Sequence, residues 1–143
     1  MKTTQRLLLI LFTFSFMSTT CIKKDDLENS IFVDNKLEKS IYVVPNYHYP
    51  DTTTGFITKG ILQANIRYQF RPLSKDYLRM YGICKEKNWK ELIHSDTLLI
   101  LVLDKNDVDN GNWDDYAKGN NYLKKYKLSY NDIISNGCQL IIE

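Results

Sequence analysis

Residues 97–103 read Thr-Leu-Leu-Ile-Leu-Val-Leu, and after Thr97 no position is polar. A strand wetted on one side alternates apolar and polar residues, because successive side chains point to opposite faces. A run without that alternation predicts a strand covered on both faces, at the centre of a sheet. The remaining residues must therefore supply two apolar layers, one for each face.

Several shorter segments are candidates for those layers. Ile31-Phe32-Val33 is a possible first strand, and Ser40–Val44 has the β-branched and aromatic density of a second, expected to end at Pro45 and Asn46. Residues 46–56, NYHYPDTTTGF, carry the turn chemistry of Pro50-Asp51 and Gly55 and read as a loop. In residues 65–70, Ile66, Tyr68 and Phe70 alternate with Asn65, Arg67 and Gln69, which predicts a half-buried strand. Leu73, Tyr77, Leu78 and Tyr81 fall near helical spacing before Gly82, and a second short helix is expected through Trp89, Leu92 and Ile93. After the central run come a turn of Asp, Asn and Gly, a helical turn over residues 113–119, and a strand over residues 122–128 with a lysine-rich exposed side, a composition that protects sheet edges. Ser129 and Asp132 form a capping pair for a helix over residues 129–136, Gly137 suits its exit, and Cys138–Ile142 is a last strand. Five or six strands with short helices predict an α+β fold on a largely antiparallel or mixed sheet, with a β-sandwich as the alternative. The short crossovers argue against a doubly wound parallel sheet, whose connections need a dozen or more residues.

The N-terminus carries a different message. Lys2 and Arg6 precede an apolar stretch, residues 7–17, and then Ser18-Thr19-Thr20-Cys21. Positive charge, apolar run and small residues, in that order, are those of a signal peptide, and the run is too short for a helix that spans a bilayer. The placement of Cys21 resembles the lipobox of bacterial lipoproteins, with Ser18 and Thr20 where Leu and Gly or Ala are usual. The resemblance implies a diacylglycerol thioether on Cys21 and cleavage before it, with several acyl chains giving a stable hold on an outer membrane. Lys24-Asp25-Asp26 resembles the surface-export signal of Bacteroidota lipoproteins; the alternative is a solvated tether. The organisation expected is a signal peptide over 1–20, a lipid-anchored linker over 21–38 and one folded domain over 39–143.

A wider resemblance concerns the C-terminal half. The run that ends in Asp104, then Trp113, Lys125-Tyr126, Leu128-Ser129 and Asp132 before a final strand is similar to a group of small Bacteroidota lipoproteins to which no activity is attached. It implies an envelope address and a single fold, and no chemistry. Cys138 departs from the group's pattern.

Composition narrows the function classes. With 43% hydrophobic and 25% charged residues, the chain is ordinary for a globular protein and is not expected to be disordered throughout. Of 19 Lys and Arg against 17 Asp and Glu, Lys2 and Arg6 lie in the export segment, so the remainder is formally neutral. That balance lacks the electrostatic footprint of a nucleic-acid binder. His48 and His94 have no neighbouring Cys, Asp or Glu at metal-ligand spacing, and the acidic run 104–112 does not match the calcium loop of an EF-hand. No cofactor, metal or catalytic residue is assigned, and the chain is read as no enzyme. An envelope hydrolase built on His94, Asp96 and a serine, or a purely structural envelope protein, stands as the alternative. The favoured reading is a lipid-anchored module that binds an envelope protein or glycan. Tyr42, Tyr47, His48 and Tyr49, with Tyr68, are its possible ligand surface, since Tyr pairs a flat apolar face with a polar tip. Cys84 and Cys138 form a possible disulfide, with buried free thiols as the alternative.

Overall fold

The computed structural model describes residue 27 and residues 29–50, 57–111, 113–118 and 121–143. Seven strands run in chain order: β1 (Ile31–Asn35), β2 (Ile41–Asn46), β3 (Gln69–Phe70), β4 (Lys75–Leu78), β5 (Thr97–Asp104), β6 (Lys124–Ser129) and β7 (Gln139–Ile142). Five short helices lie between them: α1 (Lys59–Ala64), α2 (Glu86–Leu92), α3 (Lys105–Asn110), α4 (Trp113–Ala117) and α5 (Tyr130–Ser135). The strands form a three-stranded sheet, β4-β1-β7, and a four-stranded sheet, β3-β2-β5-β6. The first is mixed, because β1 runs antiparallel to β4 and parallel to β7. The second is antiparallel throughout. The fold is α+β.

Strand β5 sits between β2 and β6, and each residue from Leu98 to Leu103 is fully buried. The pleat divides these residues cleanly. Leu98, Ile100 and Val102 join Ile41 and Val43 of β2 against Ile31, Val33, Leu140 and Ile142 of the three-stranded sheet. Leu99, Leu101 and Leu103 join Tyr42 and Val44 on the other face, under Leu62 of α1 and Val108 of α3. The result is three layers: a small sheet, a large sheet, and a cover of short helices.

Local chemistry explains the helices that the apolar pattern hides. α3 occupies the segment expected to be a turn of Asp, Asn and Gly. Its helical conformation follows from Asp104, whose carboxylate accepts from the backbone N–H groups of Asn106 and Asp107 at the N-cap. Only Val108 is buried, so no apolar period betrays it. α5 begins with the expected capping box, Ser129 and Asp132 each bonding the other's backbone, and Gly137 follows it at φ 62°, in the left-handed region.

Other expectations are corrected by the strand pairing. Residues 65–70 form a 3-10 turn, Ile66–Tyr68, and only then a two-residue strand, because the Asn65 side chain accepts from Arg67 N–H and turns the chain. Ile66 consequently points outward, 71% exposed. Residues 73–81 are no helix: Leu73 adopts φ 49° after Pro72, and Lys75–Leu78 pair with β1, where Tyr77 meets Phe32 edge to face at 5.2 Å. Strand β2 does not stop at Pro45 but continues to Asn46. Its pairing with β3 covers only Ile41 and Tyr42, so Pro45 lies where β2 has a single partner strand and a missing N–H is tolerated. The folded part also reaches into the stretch read as linker, since β1 is the central strand of the three-stranded sheet.

Candidate functional site

Residues Cys21, Lys24, Asp25 and Asp26 lie outside the described residues. Among the described residues no helix is long and apolar enough to cross a membrane.

The proposed aromatic surface does not exist as one surface. Tyr42 is fully buried on the helix-covered face of the large sheet, where its hydroxyl donates to Asp109 Oδ1 at 2.8 Å. Tyr47 packs on the core between the sheets, and burial, with Tyr68 beside it, pushes its hydroxyl up to about 12. Tyr49 packs in the opposite core and accepts from Lys127 Nζ at 3.2 Å. His48 is exposed, with its backbone N–H donating to Asn46 Oδ1. The pleat explains the split for Tyr42 and its neighbours in β2, and the turn after Asn46 separates Tyr47 from Tyr49. His94 is exposed in the turn ahead of β5. Cys84 and Cys138 form a disulfide with Cα atoms 6.1 Å apart, joining the turn before α2 to the start of β7.

The acidic run has a positioning role. Asp109 receives Tyr42, Gln63 Nε2 at 3.1 Å and the ammonium of Lys105, which also lies 5.4 Å over the Tyr42 ring. Asp104 caps α3 and pairs with Lys39 at 2.9 Å. These contacts fasten α3, and through Gln63 also α1, to the buried face of the large sheet. On the small sheet Asp34 is 4% exposed and takes Lys36 at 3.0 Å and Lys75 at 3.2 Å. Among the described residues no group of three or more His, Cys, Asp or Glu is placed to hold a metal ion.

Burial raises the carboxyls of Asp34, Asp104 and Asp109, but their cationic and hydrogen-bond partners outweigh it, so all three titrate below the usual 3.8. A depressed folded pKa adds stability that is present above the unfolded value and lost as pH falls through the folded one. The urea midpoint should therefore hold from pH 7 to pH 5 and drop below about pH 4. Asp109→Asn should flatten part of that drop. A midpoint that rises on acidification contradicts this linkage.

Among the described residues the two sheets leave two open flanks. On one, β6 and β7 are the terminal strands of their sheets. They border a groove of about 370 Å³ lined by Tyr126, Leu128, Ile133, Leu140 and Ile141, with Asp132 and Asn136 on its rim. Tyr126 spans it, its hydroxyl donating to the Ile141 carbonyl at 3.3 Å. Ile141 is 45% exposed. Terminal strands present backbone N–H and C=O groups to an added strand, and a lined groove beside them supplies side-chain pockets. The sequence carried only a hint of this site, the lysine-rich strand over residues 122–128 and the apolar last strand. Their juxtaposition is tertiary.

No protein family, curated protein or solved structure matches the chain.

Proposed function

We propose that the chain is a Bacteroidota-type lipoprotein, anchored through lipid on Cys21 to the outer membrane, whose folded domain is a binding module for a partner protein of the envelope. The groove between β6 and β7 is the observation that carries the binding reading. It combines two strand edges that no further strand pairs among the described residues with an apolar lining of a size suited to alternate side chains of an extended segment. The signal-peptide order of residues 1–20 and the Lys24-Asp25-Asp26 signal support the address and a surface orientation.

Two measurements test this reading. A photo-crosslinking amino acid at Ile141 in the intact protein, irradiated in native membranes, should yield a discrete adduct that is missing when the probe stands at Lys87 on the exposed face of α2. Identical labelling at both positions, or none at Ile141, removes the groove as the binding site. Independently, Cys21→Ser should release the protein from membranes, and protease added to whole cells should digest the parent chain. A serine variant that stays membrane-bound refutes the lipid anchor.

A further inference from the structure

The opposite flank, where β3 and β4 are the terminal strands, has a different chemistry. Residues 65–81 contain Arg67, Arg71, Lys75 and Arg79 against a single acid, Asp76. Outside this segment, and apart from Lys2 and Arg6, the chain has 13 basic residues against 16 acidic ones, so the excess is local. The same segment holds the two most exposed large apolar side chains among the described residues, Ile66 at 71% and Leu73 at 66%, together with Tyr81 at 41%. These residues belong to one side of the molecule: the 3-10 turn packs against β4, and the Arg67 guanidinium lies 5.7 Å from the centre of the Tyr81 ring. Asn35 Nδ2 and Ser74 Oγ both donate to the Arg71 carbonyl at 2.7 Å, which ties the turn bearing Leu73 to the sandwich. Leu73 is held there at φ 49°, in the left-handed region that side chains seldom adopt. A strained backbone that presents an exposed leucine is hard to explain by stability alone.

We infer that this flank docks on a membrane surface carrying anionic phospholipid headgroups. The arginines provide planar donors for phosphate oxygens, and each basic residue near an anionic surface gains about 1 kcal/mol. Ile66 and Leu73 enter the headgroup boundary, and Tyr81 has the apolar body and polar tip of a side chain that settles at that depth. Charge complementarity selects the anionic lipid, because exposed apolar side chains alone would not call for four basic residues around them. Lys75 is already paired with Asp34, which leaves Arg67, Arg71 and Arg79 for the headgroups; Lys85 follows Cys84, which the disulfide ties to the start of β7, and is no part of this flank. The docking does not depend on lipid at Cys21, and where that anchor is present it would hold the domain flat against the bilayer rather than extended from it.

The test places a reporter at the most exposed of these positions. The full chain carrying Ile66→Trp is mixed with vesicles of brominated phosphatidylcholine, with or without phosphatidylglycerol, and its fluorescence is compared with that of the parent chain, which retains Trp89 and Trp113. Quenching of the added tryptophan is expected on phosphatidylglycerol vesicles, with its loss in 1 M salt, where the screening length shrinks to about 3 Å. Arg67→Gln with Arg71→Gln should weaken binding roughly thirtyfold, from about 1 kcal/mol for each charge removed. Circular dichroism of the same variants confirms that they fold. Absence of quenching on phosphatidylglycerol, or equal quenching on phosphatidylcholine alone, overturns the assignment. A response to polyglutamate without one to phosphatidylglycerol also overturns it, in favour of an acidic protein segment. Because Cys21→Ser reports the anchor separately, failure of one reading leaves the other intact.

Discussion

Replacing Cys84 and Cys138 together by serine should lower the unfolding free energy by about 4 kcal/mol in the chain-entropy description of a cross-link. The bridge joins residues 54 apart, and most of its effect lies in the unfolded chain, whose loop it closes. For a domain of about 100 residues, that loss lowers the melting temperature by roughly 15–30 °C. Calorimetry of the oxidised parent, the reduced parent and the double variant should show the last two melting together and well below the first. A shift of only a few degrees would mean that the bridge is not closed in solution or that the unfolded chain is already compact there. Mass measurement before and after reduction separates those cases.

The second large effect belongs to β5. A strand with one wet face tolerates truncation at every second position, whereas both faces of β5 are covered. Ile100→Ala opens a cavity between the sheets, and Leu101→Ala opens one beneath α1 and α3. Each should cost about 2–5 kcal/mol. Against a total stability of about 5–15 kcal/mol, either change removes a large part of the margin. Denaturant unfolding of the alanine series from Leu98 to Leu103 should show no two-residue rhythm, and alternation between large and negligible effects would contradict burial on both faces. Leu101→Asp, with a charge forced under the helices, should not yield folded protein at neutral pH.

These effects also show which features of the fold were legible in the chain. β5 was readable because its pattern admits one explanation, and α5 because Ser129, Asp132 and Gly137 mark both of its ends. β4 was misread because Leu73, Tyr77, Leu78 and Tyr81 fit a helical spacing, while the requirement that β1 find a second partner is invisible in residues 73–81. α1 and α3 bury one residue each, Leu62 and Val108, so neither has an amphipathic period to detect. In residues 65–70 the alternation was real, but Asn65 redirected the backbone before a strand could form.

The candidate sites were less legible than the fold, for a related reason. Tyr42, Tyr47 and Tyr49 are close in sequence and suggest a cluster, but packing distributes them over two cores. The groove joins residues of β6, α5 and β7 that meet only because each sheet ends with one of those strands. The cationic flank was present in composition as a local excess of arginine, concealed by the near neutrality of the whole. Only the exposures of Ile66 and Leu73 separate it from a solvated charged surface.

The parallel pairing of β1 with β7 bears on the order in which the chain can fold. Residues 31–35 are among the first of the domain to be made, and their partner strand, residues 139–142, comes more than a hundred residues later. The small sheet stays incomplete until residues 139–142 arrive, so Phe32 and Val33 lack one of their two strand neighbours until then. A small sheet that closes only with residues 139–142 resists folding from its N-terminal part alone, so a fragment that stops before Gln139 should stay unfolded.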